Sequence, residues 1–288
     1  MPYSPRIGLY SAPPFSLPSL EACDGASPVR TTTMTSTARY EGRSAVELAA
    51  ILSLARVVVF DRVTSTLDVV HELGDQGAPA GTLVLAEEQT AGRGRMRRSW
   101  RSDSGAGIWL TLLERPSSDD ALGVLALRIA LALAPSLEAF TTGRAQLKWP
   151  NDVYLDGKKL AGVLVEARWR GARVDWLAIG VGINVRAPED LDVAALRPGC
   201  DRLAVLAAIV PALRAAAAKA GHLDKNEIRQ FEARDLAVGR RCLAPLEGVV
   251  AGVGADGALL VDADVGRSAI YAGSLVLDSD AHSSGGSA

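Results

Sequence analysis

Cysteine and histidine are scarce, three of each in 288 residues. Cys23, Cys200 and Cys242 lie far apart without a CxxC pair. Neither a disulfide framework nor a zinc cluster is expected, and no metal-ligating set is assigned. An excess of positive charge is missing too: 31 basic side chains face 33 acidic ones. That excludes a general nucleic-acid binder and makes any basic site local. No uninterrupted apolar run reaches the length of a membrane span. The richest, ALGVLALRIALALAP at 121–135, carries Arg128 and stops at Pro135, as a buried helix would. A continuous apolar segment of secretory type is absent as well. What is left is an ordinary globular balance, 48% hydrophobic and 22% charged. The chain is long enough for one large domain plus a small one, with reduced thiols and a cytoplasmic location expected.

Residues 1–43 hold six prolines and much Ser and Thr. Such a composition predicts a disordered leader. A transit-type segment, interrupted by Glu21, Asp24 and Glu41, and a true start at Met34 are the other two readings. From Ser44, a plausible N-cap, SAVELAAILSLA suits a short helix. Strand-like runs follow at 57–60, 82–88, 107–114, 145–150, 159–169 and 175–185. Helical patterns occupy 66–74, 121–140 and two runs between about 201 and 235, with Pro211 expected to kink or interrupt the first of those two. This order predicts an α+β catalytic domain over 44–236: a mixed β-sheet with helices on one side. The stretch 237–278 changes to short strands with glycine turns, including Asp256-Gly257, and predicts a small SH3-like β-barrel before a flexible tail at 279–288. Gly252, Gly254 and Gly257 fit the spacing of a dinucleotide fingerprint, but no helix pattern follows them, so that reading is rejected.

Four stretches carry polar chemistry. In TSTLD (64–68), Ser65 and Thr66 stand at a helix start, where hydroxyls cap backbone donors or bind a polar ligand group. In EEQTAGRGRMRRSW (87–100), glycines allow close backbone approach and arginines supply forked donors for phosphate or carboxylate. A solvated loop and a nucleic-acid contact are the competing readings there. In LKWPNDVYLDGKKLAGVLVE (147–166), Pro150 takes the chain out of regular pairing, and the LDGKK turn returns Lys159 towards Lys148, Asn151 and Asp152. In IGVGINV (179–185), small residues in an apolar strand imply close approach by another segment or a ligand, and Asn184 adds one amide.

Together, S-T at 65–66, QTAGRGR at 89–95 leading to R-x-W at 98–100, KWPND at 148–152, KLAG at 159–162 with Glu166, and GIN at 182–184 resemble the biotin protein ligases. The order of these motifs agrees with that family over 57–185. The terminal β segment extends the resemblance to about 44–278. KWPND and GRGR in one chain make a specific pair. The resemblance implies a catalytic domain of the class II aminoacyl-tRNA-synthetase-like type and an activity of the biotin–[acetyl-CoA carboxylase] ligase kind. Biotin and ATP would give biotinyl-5′-AMP, and a lysine of a biotin carboxyl carrier protein would take the biotinyl group. Mg2+ would accompany the nucleotide.

By the same resemblance, Lys159, Arg95 and Asp152 are catalytic. Ser65, Thr66, Gln89, Arg93, Gly94, Arg95, Lys159 and Gly162 meet biotin, and Arg98, Trp100, Lys148, Asn151 and Asn184 meet the nucleotide. The Gly-Arg stretch becomes a lid that orders over the intermediate and keeps water out. Leu67 stands where many members have Asn, and Arg97 where glycine is common. A lipoate- or octanoate-transferring relative is the nearest alternative. A DNA-binding corepressor needs a helix-turn-helix, for which one short helix is too little. A monofunctional ligase follows, with no nucleic-acid or membrane partner, acting as a monomer or homodimer.

Overall fold

The computed structural model describes residues 38–278. The flexible tail expected at 279–288 and most of the expected leader lie outside the described residues. Residues 38–43, inside that leader, are packed: Tyr40 pairs with Arg43 and is wholly buried, with the Arg202 guanidinium 4.5 Å above its ring. Helix α1 (Ala45–Ile51) then starts at Ser44 as expected, and Glu47 reaches back to complete a capping box.

Seven strands form the large sheet in the order β1-β2-β3-β7-β6-β5-β4. They are β1 (Arg56–Val63), β2 (Thr82–Gln89), β3 (Gly107–Glu114), β4 (Gln146–Lys148), β5 (Asp152–Leu155), β6 (Lys158–Arg170) and β7 (Arg173–Asn184). Only β1 and β2 run parallel, joined by helix α2 (Thr66–Asp75). The other neighbours are antiparallel, so the sheet is mixed as the pattern predicts.

The expected one-sided helix layer needs correction. Val57, Val59, Leu83 and Leu85 point into one core with helices α3 (Leu122–Leu137) and α4 (Arg202–Ala217). The alternate residues Val58 and Val84 point the other way, onto Leu67, Val70 and Leu73 of α2. Strands buried on both faces must read as continuous apolar runs, which is what VVVF and TLVLA are.

The helix over 121–140 continues past its proline as the pattern predicts, while the interruption considered at Pro211 does not occur. Helix α3 runs two residues past Pro135, and α4 runs unbroken through Pro211. Both prolines sit on exposed helix faces. There the carbonyl that loses its partner can bond water, while Val205, Leu206, Ile209 and Leu213 keep α4 in the core. Leu122–Phe140 is long and apolar enough to cross a membrane by length and composition, but 56% of its most apolar window is buried inside the protein.

After helix α5 (Lys225–Glu232) comes a five-stranded antiparallel sheet: β8 (Arg241–Ala244), β9 (Gly248–Val253), β10 (Leu259–Ala263), β11 (Gly266–Ile270) and β12 (Val276–Leu277). Its order is β11-β10-β9-β8-β12, an open arrangement in which no pairing among the described residues joins β11 to β12. The rejected fingerprint glycines lie on β9 and in the turn to β10, where Gly254 N–H donates to Ala258 O. Val250, Val253, Leu259, Val261 and Leu277 of this sheet belong to the same core cluster as α3 and α4.

Candidate active site

The large sheet supports a cleft of about 270 Å³, bounded by α2, the 91–100 loop and the β4–β5 turn. Ser65 caps α2 through a contact to Leu67 N–H, and Thr66 opens the helix. The backbone N–H and hydroxyl of Thr66 both donate to Gln89 Oε1, at 2.9 and 3.1 Å. Gln89 Nε2 donates to Ser102 Oγ at 2.8 Å, and Thr66 Oγ1 lies 2.8 Å from Thr111 Oγ1. The start of α2, the end of β2 and the far end of the loop are thus tied through one side-chain amide. Thr111 and Ser102 escape the motif reading; the only signal for Thr111 is a lone hydroxyl inside the apolar run GIWLTLLE.

At the other end the chain leaves β4 at Lys148, passes a cis Trp149–Pro150 bond and enters β5 at Asp152. Asp156 and Gly157 take positive φ in the turn to β6, which returns Lys159 over Asp152. Lys159 Nζ lies 2.8 Å from Asp152 Oδ1. The pair meets the distance of an ion pair, yet no donor is aimed along a hydrogen-bonding direction at that buried oxygen. Lys159 Nζ also sits 4.9 Å above the Trp100 ring, and Lys148 Nζ lies 5.3 Å above that of Tyr154. Burial weakens the hold of Arg95 on its proton, and the nearby Asp152 charge works against that loss. Arg95 makes no ion pair with a carboxylate among the described residues.

Trp100 explains Gly182 of IGVGINV and Gly162 of KLAG, whereas Gly180 faces Leu67 and the Leu164 carbonyl. A Cβ built on Gly182 would come 2.6 Å from Trp100 Nε1, and one on Gly162 would come 3.0 Å from Trp100 Cζ3. The indole therefore lies flat on β6 and β7, which only glycine permits. Its buried Nε1 has no acceptor among the described residues.

Ser65, Thr66, Gln89, Arg93, Gly94, Arg95, Arg98, Trp100, Lys148, Asn151, Asp152, Lys159 and Gly162 all line this cleft. Asn184 does not. It lines a second cavity of about 240 Å³ with Arg186, Pro188, Leu191 and Val193, and Trp100 and Lys159 border both spaces. Two amides are already engaged: Asn151 Nδ2 donates to Val163 O, and Asn184 Nδ2 donates to Lys159 O and Ala194 O. Ser274 and Leu275, from the segment before β12, also reach the first cleft, without any motif to announce them.

Arg95, Arg98, Lys148 and Lys159 thus gather over the sheet beside two adjoining cavities, an arrangement that can hold anionic groups. Residues 59–184 match the Biotin/lipoate A/B protein ligase family. The bifunctional ligase/repressor BirA of Bacillus spizizenii is 44% identical over 131 residues, covering 45% of this chain and 40% of that protein. The biotin–[acetyl-CoA-carboxylase] ligase of Mycobacterium tuberculosis is 32% identical over 207 residues, covering 63% of this chain and 75% of that one. Among solved structures, the Aquifex aeolicus biotin protein ligase in complex with biotin and ATP superposes with a TM-score of 0.63 at 30% identity, over 77% of this chain and 97% of that one. The chain belongs to the Biotin/lipoate A/B protein ligase family, and within it to the biotin protein ligases. Its match spans about two fifths of the length of the Bacillus protein.

Proposed function

We propose that the protein activates biotin with ATP as biotinyl-5′-AMP and passes the biotinyl group to a lysine of a biotin carboxyl carrier domain. One observation carries this reading: Lys159 and Trp100 border both cavities. The first cavity, floored by Ser65, Thr66 and Gln89, takes the polar head group of biotin. The second, with Asn184, takes the nucleoside. The carboxylate and the α-phosphate then meet at Lys159, where a carboxylate oxygen attacks phosphorus and pyrophosphate leaves. Two anions approach in that step, so fixed cations from Lys159, Arg95, Arg98 and Lys148 lower its barrier. In the second step the carrier amine attacks the acyl carbon and AMP leaves; Asp152, lining the cleft beside Lys159, is placed to orient that amine. Among the described residues, Asp152 is also the one carboxylate lining the cleft. That donor set fits Mg2+ held chiefly by phosphate oxygens and water. The small C-terminal sheet is read as an SH3-like module appended to a catalytic domain ending near residue 236.

Biotin-dependent exchange of pyrophosphate into ATP tests the reading, with lipoate and octanoate as parallel acids. Exchange with biotin alone is the expected result. Exchange with a lipoyl-type acid instead would move the protein to the sister activity. A Lys159→Ala variant should lose about 10²–10³-fold in exchange rate, the usual cost of removing one donor to developing charge. Near-normal exchange by that variant would take Lys159 out of the mechanism.

A further inference from the structure

Arg93, given to the anion by resemblance, is already committed elsewhere. Its NH1 donates to Asp68 Oδ1 at 2.6 Å, and its NH2 lies 3.9 Å from Glu166 Oε2. Neither carboxylate lines the cleft. Asp68 and His71 stand three residues apart on α2, hence on one helix face. His71 Nε2 lies 2.8 Å from the same Glu166 oxygen, while Trp176 Nε1–H donates to His71 Nδ1 at 3.3 Å. With Nδ1 accepting, the proton belongs on Nε2, which donates to Glu166. That hydrogen bond, and to a lesser extent the Arg93 charge, holds the Glu166 carboxyl below the usual range, against the effect of its burial. Trp176 can take this position because residue 74 is glycine: a Cβ there would fall 2.4 Å from Trp176 Cε2. Two elements, α2 and β6, thus meet a single loop arginine, and Trp176 of β7 supports them through His71.

We propose that Asp68, His71 and Glu166 form a latch that holds the 91–100 loop over the cleft through Arg93. Arg93 is then a positioning residue, and Arg95 is the arginine that meets the anion. The latch rests on the ligase reading above for its purpose, which is to retain the acyl-adenylate until the carrier arrives. Its existence can be tested without that reading.

The variant to make is Asp68→Asn in the full chain. Asp68 is partly exposed, so the fold is not at stake. For the ligand-free protein, trypsin cleavage within 91–101 should rise about fivefold, since a charge-assisted bond at a half-exposed site is lost and the open form gains population. Release of preformed biotinyl-5′-AMP, followed by chase without carrier, should accelerate by a similar factor of about five, with exchange at saturating biotin and ATP changed less than about twofold. Asp68→Glu should restore most of the retention. Arg93→Met should match Asp68→Asn in adenylate release, and the double variant should be no worse than either. Unchanged cleavage and retention in Asp68→Asn would overturn the latch. So would additive losses in the double variant, or a collapse of exchange in Arg93→Met alone, which would return Arg93 to the anion. If the wild type shows no biotin-dependent exchange, the ligase reading fails, and the trypsin comparison still decides the latch.

Discussion

Arg128 shows how much a single residue can do away from the cleft. It lies on α3 with 2% of its side chain exposed. Its guanidinium donates to Glu227 Oε1 at 2.9 Å and to the carbonyls of Lys219, Gly221 and His222. Burial works against the Glu227 charge, but Arg128, Lys219 and the Asp224 N–H outweigh it and hold the carboxyl below its usual range. One charged residue in an otherwise apolar helix thereby fixes α5 and the loop before it. Removing one partner leaves a buried charge uncompensated, so Arg128→Met should lower the unfolding free energy by about 3–5 kcal/mol. Arg128→Met/Glu227→Gln should recover part of that loss. Urea titrations of the three proteins give the comparison. Equal losses in single and double variants would mean that the bonds to the three carbonyls, not the ion pair, dominate.

At the scale of elements, the LDGKK turn shows the β5–β6 hairpin, whereas the continuous runs VVVF and TLVLA are read as strands of a sheet with helices on one side, and only the structure shows both faces buried. Helix continuity through Pro211 is not legible, because local propensity cannot register that this proline faces solvent on a helix anchored by its other side. The small residues of IGVGINV announce a close approach but not its partners, which are Trp100 for Gly182 and Leu67 with the Leu164 carbonyl for Gly180. That dependence makes a test. A methyl group at position 182 cannot coexist with an indole 2.6 Å away, and a ring packed on a strand has no flexible end to yield. Gly182→Ala should therefore displace Trp100 and Lys159 together. A shift of about 1 Å in the reacting groups costs on the order of 10²-fold in rate, against about 1–3 kcal/mol in stability. Exchange kinetics beside a melting curve would read both. A variant with lost stability but normal exchange would show that Trp100 does not position the site.

Across the whole molecule, the motifs supply most cleft-lining residues of the large sheet but not Leu110 and Thr111, and Ser274 and Leu275 come from the far end of the chain and carry no pattern of their own. Contacts between the two sheets follow the same rule. Trp149 Nε1 donates to Gly257 O at 2.9 Å, and Leu147 is bracketed by backbone bonds to Arg234 and Leu236. Asp235 sits between those two bonds, its carboxyl pushed up to about 6 by burial, although the N–H groups of Ala237 and Val238 pull the other way. A raised native pKa means that the folded state binds the proton more tightly than the unfolded chain. The stabilisation is complete below about pH 4, the unfolded value, and is lost as pH rises to about 6. Above that, the buried charge costs up to about 3 kcal/mol, fewer where water reaches it. Glu138, Glu166 and Glu227 are shifted down and act in the opposite sense, so a bare pH profile of stability mixes the two. The difference between wild type and Asp235→Asn separates them, because an amide oxygen keeps the bond from Ala237 N–H. The variant should match wild type near pH 4 and exceed it by about 1–3 kcal/mol at pH 7. A constant difference across that range would show that Asp235 titrates alike in the folded and unfolded chain, and that the burial of this junction does not govern its ionisation.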